Sequence, residues 1–285
     1  MSDPTPPPPD VLAAFGVRAA PQHMKGGISQ TVWRVGDIVL KPVQEPNPGE
    51  GDWVADVLDA IEEDGFRVAK PVRATDGAWL FDGWTAWRWL EGEHRVQNWR
   101  DVTNAARAFH RELPRAAARI GAARQPKWLE PRSHRWARSE RTVWHGAPLP
   151  GEYHERPEWS LYERAVAVGP PLTAAEDAHS QVVHGDVAGN VLCDPAFDTL
   201  ALIDVSPGWR PPSSVDAQIA IEAVAWFGAD ESLLEPIGSE PGGQAALARA
   251  CAFRLLCGFQ ESANWAVDYP GEVETWTRVL EMIGS

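Results

Sequence analysis

The sequence predicts an α+β chain in two lobes, a small β-rich N-terminal lobe with one main helix and a larger, mainly helical C-terminal lobe. Three observations carry this. The chain has 285 residues and 44% apolar content, enough for a large core and between the usual sizes of one domain and two. Before Gly92, short β-branched runs alternate with Gly-containing turns. After it, apolar residues recur at helical spacing.

The elements follow in order. Met1–Asp10 is proline-rich with no apolar run behind a basic start; it reads as a disordered tail rather than a leader or anchor. Residues 11–91 form the N-terminal lobe. Val32–Val35 and Ile38–Lys41 flank Gly36-Asp37, a hairpin signal. Trp53–Ile61 places Val54, Val57, Leu58 and Ile61 on one helical face. Asp64-Gly65, Asp76-Gly77 and Asp82-Gly83 mark turns around the runs Arg67–Arg73, Ala78–Phe81 and Thr85–Leu90. Residues 92–285 form the second lobe, with helices expected around Val102–Phe109 and over Trp159–Val168, Thr173–Ala178, Ala217–Phe227 and Ala245–Phe259. A short hairpin, Val191–Cys193 with Leu200–Ile203, interrupts them. The Arg-, Pro- and Trp-rich stretch 120–157 gives no clear pattern.

Composition excludes several classes. A formal charge of −14 repels phosphate backbones and argues against a nucleic-acid partner. No apolar stretch approaches the ~20 residues of a membrane span. The cysteines, Cys193, Cys251 and Cys257, lack metal-ligand spacing and are odd in number, so a reducing cytoplasm is the expected setting. Fifteen tryptophans suit a core and lobe interface, or stacking on a sugar or base. The oligomeric state is open.

The sharpest local feature is His184-Gly185-Asp186, with Asn190 four positions on and Asp204 ending the run Leu200–Ile203. Phosphoryl transfer uses this combination. One carboxylate orients the attacking hydroxyl, while an amide and a second carboxylate hold the magnesium that bridges the phosphates. In these motifs the chain resembles the aminoglycoside phosphotransferase and choline kinase family, whose fold is protein-kinase-like. The resemblance covers roughly residues 25–227 and implies a two-lobed kinase fold. It also implies an ATP- or GTP-dependent, Mg²⁺-requiring transfer to a hydroxyl of a small molecule. Asp186 becomes the acceptor-orienting acid, Asn190 and Asp204 the metal ligands, His184 a structural anchor, and Asp216 the helix-head acid that braces the catalytic loop. The family usually places its asparagine five positions after the aspartate; here the loop is one residue shorter, which leaves a catalytically impaired nucleotide-binding module as the alternative. A His-Asp hydrolase lacks a placed nucleophile such as GxSxG.

The same resemblance assigns Lys41, one of only four lysines, to the phosphates, with Glu50 as its acidic partner. Gly26–Thr31 fits a phosphate-covering loop through Gly27, Ser29 and Thr31. Trp87–Gly92, including Arg88 and Leu90, is the expected interlobe linker beside the adenine. No Asp-Phe-Gly and Ala-Pro-Glu pair marks a protein kinase. Residues 231–285 carry eight acids against three arginines, which favours an amine-bearing acceptor such as an aminosugar, with Trp265 as a candidate aromatic face.

Overall fold

The computed structural model describes residues 5–24, 31–43, 47–94, 96, 98–149, 151–156, 158–262 and 265–283. Gly27 and Ser29 lie outside them. Helix α1, Pro9–Ala14, begins inside the segment expected to be a tail. Proline suits the first helical turn, where its missing N–H has no partner to lose, and Val11 and Phe15 are buried against the sheet that follows.

That sheet is antiparallel. Strands β1 (Gln22–His23), β2 (Trp33–Val35) and β3 (Ile38–Pro42) lead into helix α2 (Glu50–Ala60). Next come β4 (Arg67–Val68), β5 (Pro71–Val72), β6 (Leu80–Phe81) and β7 (Trp84–Arg88). The sheet order is β1-β2-β3-β7-β5, with β6 paired to β7. The β2–β3 and β6–β7 hairpins are closed by Gly36-Asp37 and Asp82-Gly83. Asp82 and Gly83 both have positive φ, 47° and 77°, the primed-turn geometry for which Asp-Gly is favoured. The expected run Arg67–Arg73 is divided. Its first half, β4, leaves the N-terminal sheet and pairs in parallel with β10 (Ala201–Leu202) of the other lobe.

The remainder is helical around three short strand pairings. In order it comprises α3 (Trp99–Arg119), α4 (Arg135–His145), α5 (Trp159–Val168), α6 (Ala174–Asp177), β8 (Gln181–His184), β9 (Val191–Leu192), β10, β11 (Pro207–Arg210) and α7 (Ser213–Trp226). The chain continues through α8 (Glu235–Gly238), α9 (Gly243–Glu261), α10 (Trp265–Asp268) and α11 (Pro270–Ile283). Of these, α4, α11 and β11 carry no signal that the sequence reading recognised. No helix of the described residues is long and apolar enough to cross a membrane.

Three apolar clusters hold the molecule. One joins α1 to the N-terminal sheet, and another is wholly in the C-terminal helices. The middle one joins Val54, Val57, Leu58 and Val68 to Phe109, Val183 and Ile219. Packing therefore does not divide at residue 91, because α2 buries its face against α3 and the strands that carry the catalytic motif.

Candidate active site

The site grows out of two β-turns of chain. β8 pairs antiparallel with β11, with His184 opposite Pro207, and β9 pairs with β10, with Val191 opposite Leu202. The second pairing sets Asn190 beside Ile203, whose N–H donates to the Asn190 carbonyl at 3.0 Å. Asp204 follows directly. Asp186 and Asp204 thus leave neighbouring strand ends toward the same cleft.

His184 ties these ends together. The ring is fully buried; its Nδ1 accepts the N–H groups of Asp186 and Ser206, both at 3.3 Å, and its Nε2 faces the Ile203 carbonyl at 3.1 Å. Two donors on Nδ1 and an acceptor at Nε2 specify the neutral, Nε2-protonated ring, and burial lowers its pKa from the ordinary value. Both nitrogens of the ring are thus engaged by backbone groups. Behind it, the His110 Nε2 accepts the His184 N–H at 3.0 Å.

The short loop is accommodated by a turn in which the Asn190 N–H reaches the Val187 carbonyl at 2.9 Å. The Asn190 amide then folds back, donating from Nδ2 to the Asp186 carbonyl at 2.6 Å and to Asp186 Oδ2 at 3.1 Å. Its Oδ1 has no hydrogen-bond donor among the described residues. Asp204 is exposed and held at φ 52°, a left-handed conformation that aspartate tolerates better than most residues but still at some cost in strain.

Lys41, the next-to-last residue of β3, donates to Asp204 Oδ1 at 2.8 Å across the two lobes. The expected partner, Glu50, is elsewhere. It is the first residue of α2, and it accepts from Asn47 Nδ2 at 2.7 Å. The same amide group also donates to the Trp128 carbonyl at 2.9 Å. Burial raises the Glu50 pKa. Gly49 at φ 84° turns the chain into α2, and the charged neighbours of Glu50 are Arg132 and Glu140, not the lysine.

Asp216 is a second correction. It lies in the first turn of α7, but its Oδ2 accepts from Arg107 of α3 at 2.9 Å, and burial raises its pKa. The loop is braced instead by Gln218, two residues further on, whose Nε2 donates to the Gly185 carbonyl at 2.7 Å, joined by Arg210 at 3.3 Å. A sequence pattern that looks only for acids passes over a buried glutamine.

The linker lies across the cleft. Arg88 ends β7 and is exposed, paired with Asp37 at 2.6 Å. The Trp89 N–H donates to the Asp37 carbonyl, whereas the Leu90 N–H has no hydrogen-bond partner among the described residues. Gly92 has φ 144°, and a Cβ there would come within 3.0 Å of the Cys193 carbonyl. Glycine lets the linker press against β9. Thr31 is half-buried, two residues before β2.

Beyond Asp186 opens a cavity of about 280 Å³ lined by Glu222, Trp226, Arg254, Trp265 and Glu272, among others. Arg254 was not singled out by sequence, yet its Nη2 lies 2.5 Å from Asp186 Oδ1 and 2.6 Å from Glu222 Oε1. Burial alone would raise the Asp186 pKa; the Arg254 guanidinium outweighs it and leaves the pKa lowered. Burial holds the Glu222 carboxyl up, at about 7, despite the same arginine. Glu261 is paired with Arg135 at 3.0 Å. Glu272 accepts instead from two indoles, Trp226 at 3.1 Å and Trp276 at 2.9 Å.

No protein-family model and no curated protein matches the sequence. Solved structures do. An aminoglycoside phosphotransferase from Alicyclobacillus acidocaldarius aligns over 99% of this chain and 97% of its own, with a TM-score of 0.58 and 16% identity. The chain has the fold of the aminoglycoside phosphotransferases. A spectinomycin phosphotransferase, solved with ADP and spectinomycin, aligns over 96% of this chain and 95% of its own, with a TM-score of 0.57 and 11% identity. A choline kinase from Streptococcus pneumoniae aligns over 96% of both chains, with a TM-score of 0.52 and 12% identity. The kinase-like architecture, with an antiparallel N-terminal sheet and a helical C-terminal region, is shared with them.

Proposed function

We propose that this chain is a small-molecule kinase that transfers the γ-phosphoryl group of ATP or GTP to a hydroxyl of a small, amine-bearing acceptor such as an aminosugar. The observation that carries the reading is convergence: Lys41, the loop from Asp186 to Asn190, and Asp204 come from three separate stretches of sequence and are tied together, Lys41 to Asp204, Asn190 to Asp186, and the Asn190 carbonyl to the N–H of Ile203 just before Asp204. Similarity of fold to enzymes solved with ADP and spectinomycin, or with AMP-PNP and hygromycin B, supports it.

In this reading the nucleotide lies between the N-terminal sheet and β9–β10, its base against the linker, where the Leu90 N–H is available. Lys41 exchanges Asp204 for the phosphates. Asn190 Oδ1 and the Asp204 carboxylate fit Mg²⁺, which takes oxygen ligands and commonly one or two from protein, the rest from phosphates and water. Bound there, the metal offsets phosphate charge. Asp186 orients the acceptor hydroxyl and takes its proton late, as a weak base must. Glu272 and the indole faces beside it favour a protonated amine in the cavity. The expected division into an N-terminal lobe to residue 91 and an acceptor-binding lobe from residue 92 fits these roles, and the cytoplasm supplies the nucleotide.

The test is nucleotide consumption by purified protein with Mg²⁺ and a panel of hydroxylated acceptors, with and without amines. Asp186→Asn keeps the shape but not the proton acceptor, so turnover falls by roughly 10²–10⁴-fold while nucleotide binding persists. Metal-dependent nucleotide binding without turnover on any acceptor points to the regulatory-module alternative.

A further inference from the structure

The Arg254 guanidinium is held more tightly than a surface ion pair. Nε donates to Glu222 Oε1 at 2.6 Å, Nη2 lies 2.6 Å from the same oxygen, and Glu222 is 1% exposed. The guanidinium carbon stands 5.0 Å from the Trp226 ring and 5.3 Å from the Phe253 ring, so indole, phenyl and carboxylate all restrict its movement. Glu222 comes from α7 and Arg254 from α9, two long helices packed against each other within one apolar cluster. The remaining contact of Nη2 is Asp186 Oδ1, at 2.5 Å.

A carboxylate beside an open cavity is free to rotate about its last bond and to exchange its two oxygens. Here Oδ1 is capped by Arg254, and among the described residues Oδ2 has only the Asn190 amide, 3.1 Å away. If Asn190 turns its oxygen to a metal, Oδ2 becomes the oxygen with an open position. We propose that Arg254, fixed by Glu222, is a positioning residue that locks the Asp186 carboxylate so that Oδ2 meets the acceptor hydroxyl. The proposal rests on the phosphotransferase reading. Two effects oppose each other. A nearby positive charge makes a carboxylate a weaker base, whereas misplacing a catalytic group by about 1 Å can cost on the order of 10²-fold. Because Asp186 acts mainly by orientation, the second effect dominates.

The experiment pairs Arg254→Met with Glu222→Gln, so that the fully buried Glu222 is not left as a carboxylate without its partner, while the partly exposed Asp186 keeps the Asn190 amide. With a turned-over acceptor, kcat of this pair falls about 10–100-fold, while nucleotide affinity and thermal midpoint stay close to wild type. In an Asp186→Asn background the same pair changes kcat by less than about threefold, since there is no acid left to orient. Should the paired variant not fold, Arg254→Lys serves. Its single ammonium cannot span both carboxylates in the same plane, and about a tenfold loss in kcat is expected, again suppressed by Asp186→Asn. Unchanged or higher kcat in either variant overturns the inference, and so does an equal loss in the Asp186→Asn background, which would put Arg254 on the phosphoryl group itself. Absence of turnover by wild type on every acceptor overturns the phosphotransferase reading instead, and the inference falls with it.

Discussion

Lys41 reaches past its own lobe to Asp204, 2.8 Å away across the cleft. Glu50, one helix away, is committed to Asn47. The consequence is a pair of unequal effects. Lys41→Met removes the charge that would meet the phosphates and is expected to lower kcat/KM for nucleotide by about 10²-fold or more. Glu50→Gln keeps a group that can hydrogen-bond to Asn47, and it leaves nucleotide KM within about threefold. Steady-state kinetics on the two variants decides it: an equal loss in both would return Glu50 to the nucleotide site. Asp204→Asn weakens the Mg²⁺-dependent part of nucleotide binding, because it removes a charge that attracts the cation, and calorimetry with and without Mg²⁺ reads this directly. Asp186, Asn190 and Asp204 stand out as candidates because residue type and order mark them. The contacts of Glu50, Asp216 and Arg254 are not marked in this way, since which side chain faces which depends on how α2, α3, α7 and α9 pack.

At the scale of elements, α3 and β8 show how a local rule reaches the site. Pro114 lies inside α3 and has no N–H for the carbonyl one turn back, that of His110. Gln181 of β8 takes that carbonyl with its Nε2 at 2.7 Å, and the His110 ring takes the His184 N–H. A helix-breaking residue thus becomes the place where the helix is sewn to the catalytic strand. Burial holds the His110 pKa down to about 3, so the native state refuses a proton that the unfolded chain accepts near pH 6.5. The stability it contributes is complete above about pH 6.5 and is lost as pH falls toward 3. Between pH 6.5 and 5 this amounts to at most about 2 kcal/mol. His110→Gln keeps an acceptor without a titrating ring. Urea unfolding at pH 7 and 5 should show a smaller loss for the variant than for wild type, and equal losses would mean that other groups carry the acid sensitivity. The helices with clean periodicity, α3, α5 and α9, could be read from sequence. Helix α4 could not, because arginines and Trp136 at its surface obscure the apolar face that Val143 and Trp144 bury.

For the whole molecule, the two-lobed outline was legible from the change of period near Gly92, but the sharing of one apolar cluster between the lobes was not. Sequence shows where strands give way to helices; it does not show that β4 crosses to pair with β10 or that α2 packs on α3. Overall charge behaves similarly. A formal charge of −14 sets an attractive field for cations, but only the fold decides which acids reach the cavity. Of the acids in residues 231–285, Glu261 and Glu272 line it, whereas Glu231 and Glu235 line a separate hollow beside α8. Glu261 is offset by Arg135, and Glu222 by Arg254. Glu272 is fixed by two indole N–H groups and has no cationic partner among the described residues, so it is the carboxylate on which an acceptor amine gains most. An amine-bearing acceptor should therefore have a higher kcat/KM than its deaminated hydroxyl analogue, and Glu272→Gln should reduce that ratio by up to about tenfold, the effect of one partly screened charge pair. Raising salt from about 20 to about 500 mM shortens the Debye length severalfold and should shrink the preference for the amine in wild type more than in Glu272→Gln. Equal use of the two acceptors, or a preference that ignores both salt and Glu272, would turn the search toward neutral sugars held by the tryptophan faces alone.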